Sequence, residues 1–219
     1  MQEQNVVAEV RATAQRLAAE YIQREILEDR MRLIDRSMNM NWDDRVFFIH
    51  NPKCMGTSMK AWLGMRTDNA DHNFPSLQVS RKTWETWRTI LVVRHPIDRF
   101  VSSYNFHCRS NYSGGYLRKF PQLKSMTMEQ YFATMVKDAP LVVAPQWKYA
   151  VHLESDQPVD HIIHFEAPGP DLDRLAVALN RKPMSHHLNR NTSSKVSPSP
   201  ELQRELEAYY ARDFEAFGY

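Results

Sequence analysis

With only Cys54 and Cys108 among its 219 residues, the chain has no disulfide framework to organise a fold. Without a C-x-x-C pair it also offers no zinc-module signature. No apolar run approaches the roughly 18 residues of a membrane span, and the N-terminus carries no hydrophobic signal core. An excess of one charge is missing too. The 28 Lys and Arg and 26 Asp and Glu leave a net +2, too little to mark nucleic acid or a membrane surface as a partner. There is no internal repeat. These absences set aside disulfide scaffolds, integral membrane proteins and general polyanion binders, and they predict a cytoplasmic chain. What remains is a globular composition, 42% hydrophobic and 25% charged with mean hydropathy −0.57, long enough for one substantial core.

Residues 5–36 show helical spacing, with Val10, Ala14, Leu17 and Tyr21 on one stripe. Residues 1–44 are therefore expected to form an amphipathic helical segment, packed on the domain or pairing two copies as a homodimer. The remaining 45–219 read as one domain. Val46–Ile49 is a short apolar run fit for a strand covered on both faces, stopped at Asn51-Pro52 because proline donates no ladder hydrogen bond. A loop with Lys53, Gly56, Thr57 and Ser58 precedes a helical pattern at Met59, Ala61, Trp62 and Leu63. Thr89–Val93 repeats the arrangement: a buried strand ends in Arg94-His95-Pro96, and a helix with stripe Ile97, Phe100, Val101 and Tyr104 begins at Pro96.

Further along, 109–125 reads as a basic, aromatic loop or flap. Thr127 to Gln130 is a capping box opening a helix to about Lys137. Gln146–Leu153 is expected to be helical, Val159–Phe165 a third strand, and Asp171–Leu179 a helix. Residues 185–199 read as loop, and a closing helix starts at Ser199 and Pro200. Strands alternating with helices predict an α/β fold with a parallel sheet.

In such a sheet ligands bind beyond the carboxyl ends of the strands, where Lys53 and Arg94 both fall ahead of helix N-termini that favour anions. Two neighbouring cations of this kind fit a ligand with two separated anionic groups, against the plainer reading of solvated cations at ordinary turns. Arg94 is the stronger fork for phosphate, and Ser102 follows eight residues on with a hydroxyl. A nucleotide P-loop, GxxxxGK[ST], does not match. The lysine here comes before the glycine, and no Ser or Thr directly follows it to hold magnesium.

Asn51-Pro52-Lys53-Cys54-Met55-Gly56-Thr57-Ser58 resembles the 5′-phosphosulfate loop of sulfotransferases that use 3′-phosphoadenosine 5′-phosphosulfate (PAPS). Leu91 to Tyr104, with Arg94 and Ser102, resembles their 3′-phosphate motif. Ile163 to Glu166, His187-Leu188-Asn189 and Tyr210 to Tyr219 are similar to the carbohydrate branch, which includes heparan sulfate 2-O- and chondroitin 4-O-sulfotransferases. The likeness runs from about Val46 to the C-terminus. It implies a P-loop-like three-layer fold, a central parallel sheet flanked by helices. It also implies transfer of a sulfuryl group from PAPS to a sugar or small-alcohol hydroxyl, with PAP as product and no metal required.

On the same resemblance, Lys53 would stabilise the departing phosphate. Cys54, Met55, Gly56, Thr57 and Ser58 would hold the 5′-phosphate, and Arg94 and Ser102 the 3′-phosphate. The acceptor proton needs a base. His72 is the candidate, since His72-Asn73-Phe74 resembles the stretch bearing the catalytic histidine of the branch; His50, His95 and His107 are rivals. His161 and His164 on one strand would point to opposite faces and make no metal site. Three departures stand out: Met55 in place of a small residue, His164 in place of an arginine, and no signal anchor, which favours the cytoplasm over a Golgi lumen. The 109–125 segment could receive the acceptor, and Arg190 to Lys195 could close over the donor. Alternatives are an ATP-dependent phosphotransferase and a non-catalytic nucleotide-binding module.

Overall fold

The computed structural model describes residues 35, 37–68, 71–184 and 196–219. Apart from Asp35, which stands in a turn, the helix expected over 5–36 lies outside the described residues, as do its pairing role, the His187-Leu188-Asn189 stretch and the Arg190–Lys195 segment.

Four strands form one sheet in the order β1 (Met40–Asn41), β2 (Val46–Ile49), β3 (Arg88–Val93) and β4 (His161–His164). β1 runs antiparallel to β2, while β2, β3 and β4 are mutually parallel. Side chains alternate between the two faces. Phe47, Ile49, Leu91 and Val93 enter one core with Trp84, Trp147 and Tyr149. Val46, Phe48, Ile90 and Val92 enter the other with Met59, Leu63, Leu172 and Leu175. Every residue of β2 is buried, the condition that makes an unbroken apolar run stable as a strand. At ~1.5–3 kcal/mol per fully buried large side chain, these rows anchor the sheet. β1 joins it ahead of residue 45, so Met40 and Asn41 pair with the domain's own sheet.

The helices are α1 (Gly56–Trp62), α2 (Arg81–Thr86), α3 (Pro96–Tyr104), α4 (Gly115–Lys119), α5 (Met128–Asp138), α6 (Gly169–Ala178), α7 (Pro200–Tyr209) and α8 (Ala211–Phe217). With the sheet between them they form the expected α/β layers. A third core of Phe100, Tyr104, Leu123, Tyr131, Phe132, Leu206 and Tyr210 joins α3, α5 and α7 beside the sheet. The sequence signals for the α5 and α7 N-termini are realised. Thr127 accepts from the Gln130 amide while the Gln130 side chain accepts from the Thr127 amide. Ser199 accepts from the Leu202 amide at 3.2 Å.

Four local expectations are corrected. The 109–125 stretch is not a continuous loop, because buried Phe120 and Leu123 fold it as α4 and a 3-10 turn at Pro121–Ser125. Gln146–Leu153 forms only one 3-10 turn, Gln146–Tyr149. The third strand is shortened to His161–His164, the length that pairs with Ile90–Val93. The closing helix breaks at Tyr210, whose side chain is fully buried and whose hydroxyl donates to the Val143 carbonyl at 2.8 Å.

Candidate anion-binding and catalytic site

Because β2 and β3 are parallel neighbours, with Ile49 opposite Leu91, their carboxyl ends release two loops side by side. The first, 51–55, is sharply curled. Lys53 and Met55 both take left-handed backbone conformations, φ 66° and 57°, at a cost of ~1–2 kcal/mol per non-glycine residue. In α1 the first carbonyl to accept a helical bond is that of Met55, from the Met59 amide at 3.0 Å. The amides of Gly56, Thr57 and Ser58 therefore precede the helical ladder, and no side chain caps them at Met55. Gly56 is required for space: a Cβ built there would lie 1.7 Å from His50 Nε2. Thr57 is exposed and Ser58 buried.

Lys53 Nζ rests 3.9 Å above the Phe106 ring. Phe106 is presented by a π-helical turn, Asn105–Arg109, that continues α3, a distortion often found at functional sites. Burial first, then the Arg94 charge, lowers the Lys53 ammonium to about 8. Arg94 lies across the second loop. Its guanidinium is 4.4 Å from the Phe165 ring, Nη1 donates to the Lys53 carbonyl at 3.4 Å, and buried Nε has no partner among the described residues. Ser102 is half-buried on α3. Of the six buried side-chain polar atoms without a partner among the described residues, four belong to His50, Asn51, Arg94 and His95. They flank the two strand ends, where unmet buried polar groups call for an explanation.

His72 sits in the segment between the two motifs, and its Nδ1 lies 2.8 Å from the His50 carbonyl oxygen. A carbonyl only accepts, so Nδ1 carries the proton and Nε2 keeps the lone pair. The His50 ring packs edge-on against His72 with centroids 4.4 Å apart. Burial pushes the His72 imidazolium below its ordinary value, partly countered by the His50 carbonyl and the Asp71 charge, with smaller downward pushes from Lys60 and Lys53. His72 is thus held neutral with a basic Nε2.

A polar network fixes the backbone beneath it. Tyr149 Oη donates to the His72 carbonyl at 3.2 Å. Asn39 Nδ2 donates to the Asp71 carbonyl at 2.6 Å and to Gln78 Oε1 at 2.9 Å. Buried Lys60 donates to Asn39 Oδ1 at 3.2 Å.

The rival histidines have other work. His50 fills the space over Gly56, and burial holds its imidazolium well down. His95 donates its amide to Glu166 Oε1 at 2.7 Å and packs against Phe214 and Tyr219. His107 lies 2.7 Å from Tyr131 Oη, and burial followed by the Lys53 charge lowers it to about 4. On β4, His164 Nε2 is 3.0 Å from the Phe217 carbonyl, a structural bond that ties the sheet to α8. The Glu166 carboxylate also accepts from Tyr219 Oη at 2.9 Å, so the Ile163–Glu166 and Tyr210–Tyr219 stretches meet at the second loop. Among the described residues no group of three or more His, Cys, Asp or Glu converges to hold a metal ion.

One central residue escapes a reading of the sequence. Gln146, fully buried, sits between the two loops with its amide bonded to both. Asp213 accepts from the Gln146 and Trp147 amides at 2.8 and 2.9 Å. A glutamine after Pro145 carries no chemical signature of this role. The buried acid within the Tyr210–Tyr219 stretch is the one hint.

Two cations at adjacent strand ends, loop amides at the start of α1 and a neutral imidazole suit transfer of an anionic group to a hydroxyl. The family model described as "Sulfotransferase family" matches residues 36–146, and no curated protein or solved structure matches the chain. The match takes in β2, both loops and Gln146, just over half the chain, and sulfuryl transfer is the activity this family carries. The chain belongs to the sulfotransferase family.

Proposed function

We propose that this protein transfers the sulfuryl group of PAPS to a hydroxyl of a sugar or small alcohol. The observation that carries the reading is the pairing of Lys53 with Arg94, whose buried Nε–H lacks a partner among the described residues, on adjacent parallel strand ends. The 51–58 loop supports the 5′-phosphosulfate end, through the amides of Cys54 to Ser58 and the hydroxyls of Thr57 and Ser58. Arg94 and Ser102 support the 3′-phosphate, the group that separates this donor from ATP. Both sets of donors fit phosphate chemically, because N–H and O–H groups complement anionic oxygens.

In the reaction, His72 Nε2 accepts the acceptor's hydroxyl proton as the new S–O bond forms. Lys53 donates to the oxygen joining sulfur to phosphate as that bond breaks, and PAP leaves. The Lys53 ammonium must come off the Phe106 face to do so. The carbohydrate branch and a cytoplasmic location belong to the same proposal. The first rests on the Ile163–Glu166 and Tyr210–Tyr219 stretches; the second is supported by two buried, unpaired cysteines. Among the described residues no helix is long and apolar enough to cross a membrane.

The test is incubation with ³⁵S-labelled PAPS and a panel of glycans and small alcohols, following label transfer and PAP release. Lys53→Ala should lose ~10²–10³ in kcat, the usual cost of one preorganised donor to a developing anion. Near-normal turnover in that variant, or no donor desulfation by the wild type with any acceptor, would overturn the proposal.

A further inference from the structure

Gln146 carries no acid, base or nucleophile, yet from outside the two loops of the candidate site its side chain is bonded to both. Its Oε1 accepts from Asn51 Nδ2 at 2.9 Å, from the Arg94 amide at 3.0 Å and from Cys54 Sγ at 3.5 Å. Its Nε2 donates to the Arg94 carbonyl at 2.7 Å. The amide orientation follows, because the oxygen faces three donors and the nitrogen faces a carbonyl. Asn51 Nδ2 also reaches the Val92 carbonyl at 3.1 Å, closing the bridge back onto β3. The residue has zero exposure, and Asp213 of α8 accepts from its backbone amide through Oδ2 and from the adjoining Trp147 amide through Oδ1.

Buried polar networks of this kind are costly when one member is mismatched. A change at Gln146 therefore disturbs Asn51, Cys54 and Arg94 together.

We propose that Gln146 is a positioning residue that locks the Lys53 loop and the Arg94 loop into one rigid body, setting the spacing of the two anion subsites. The inference rests on the two-phosphate donor reading given above. It adds that donor affinity depends on a side chain that does not itself touch the donor. The most informative change is Gln146→Glu, nearly the same in shape, which puts a carboxylate oxygen against the Arg94 carbonyl where an N–H donor stood. Gln146→Met, which removes both hydrogen-bonding ends, is the companion if the first variant folds poorly.

Hydrogen exchange by mass spectrometry on the ligand-free protein reads the brace directly. In either folded variant, peptides covering 52–58 and 94–98 should both exchange at least about tenfold faster, while α5 stays as in wild type. Calorimetric titration with PAP should show at least a tenfold weaker Kd, with the kinetic loss falling on the donor KM more than on kcat. Unchanged exchange in either loop, or loosening of only one, would overturn the proposal, as would wild-type PAP affinity in a variant whose loops have loosened. A wild-type protein that binds no PAP would sink the donor reading. The paired exchange of the two loops would then still decide the brace.

Discussion

The sharpest test of the loop geometry is the addition of a single methyl group at Gly56. Its Cβ would meet His50 at 1.7 Å from Nε2, 2.1 Å from Cδ2 and 2.6 Å from Cε1. These are ring atoms, with no flexible end to swing away. His50 is only 8% exposed, and Phe48 and His72 pack on its ring. The imidazole or α1 must shift, and an approach of 1.7 Å to a rigid ring places the overpacking cost at the upper end of its range, ~2–3 kcal/mol. Alanine recovers about 1 kcal/mol of helix propensity, so Gly56→Ala should be destabilised by a net ~1–2 kcal/mol. At about 2–4 °C per kcal/mol for a chain of this size, Tm should fall by roughly 2–8 °C.

Gly169, also the first residue of a helix, has nothing among the described residues within 4 Å of its built Cβ. Gly169→Ala meets no such clash, and because Pro170 disfavours a helical alanine before it while the unfolded chain loses freedom, its stability should stay within ~1 kcal/mol of wild type. The damage at Gly56 should also reach chemistry, because the residue displaced is the one whose carbonyl holds the His72 proton. Adding His50→Ala should relieve the clash, so that the double variant is less destabilised than the sum of the two singles. Scanning calorimetry and turnover on wild type and the four variants decide the matter. A Gly56→Ala protein as stable as Gly169→Ala and fully active would refute the reasoning.

Other outcomes follow from the same geometry. Arg94→Ala should weaken PAP binding by ~1.5–3 kcal/mol on titration, the worth of charge-assisted hydrogen bonds, with less change in kcat. His72→Ala should cost ~10²–10⁴ in kcat and leave PAP affinity near wild type; a kcat unchanged by the substitution would remove His72 as the base. The pH profile of kcat/KM should rise with an apparent pKa below 6.5 as His72 loses its proton, and fall near 8 as Lys53 loses its own. A bound donor adds negative charge beside Lys53, so the alkaline limb of kcat should move upward from that of kcat/KM. Stability should decline on acidification. His50, His72 and His107 are all depressed in the folded state, so the unfolded chain takes up protons first as pH falls through 6.5 toward about 4. A Tm that is flat between pH 7 and 4.5 would contradict this.

The parts of the fold that could be read from the residues are those whose cause is local. Val46–Ile49 and Thr89–Val93 announce themselves because strands covered on both faces need unbroken apolar runs, and Lys53 and Arg94 stand where those runs stop. The caps at Thr127 and Ser199 are short-range devices, each complete within four residues. What escaped has distant causes. Gln146 earns its place through Asn51, 95 residues away, and Asp213, 67 residues away. The helix and turn within 109–125 form because Phe120 and Leu123 find a core supplied by α3 and α5. The His72 candidate could be named from its neighbours in sequence. Its usable tautomer depends on a carbonyl 22 residues earlier in the chain.

The dependence of Gln146 on Asp213 also bears on biosynthesis. The loops carrying Lys53 and Arg94 are made in the first half of the chain, but the acid that holds their brace comes only at residue 213. Because chains fold as they emerge from the N-terminal end, a growing polypeptide displays both cations long before it can fix their separation. Donor capture should therefore begin only after α8 has emerged and docked, so ribosome-bound chains arrested short of residue 213 should not sequester nucleotide.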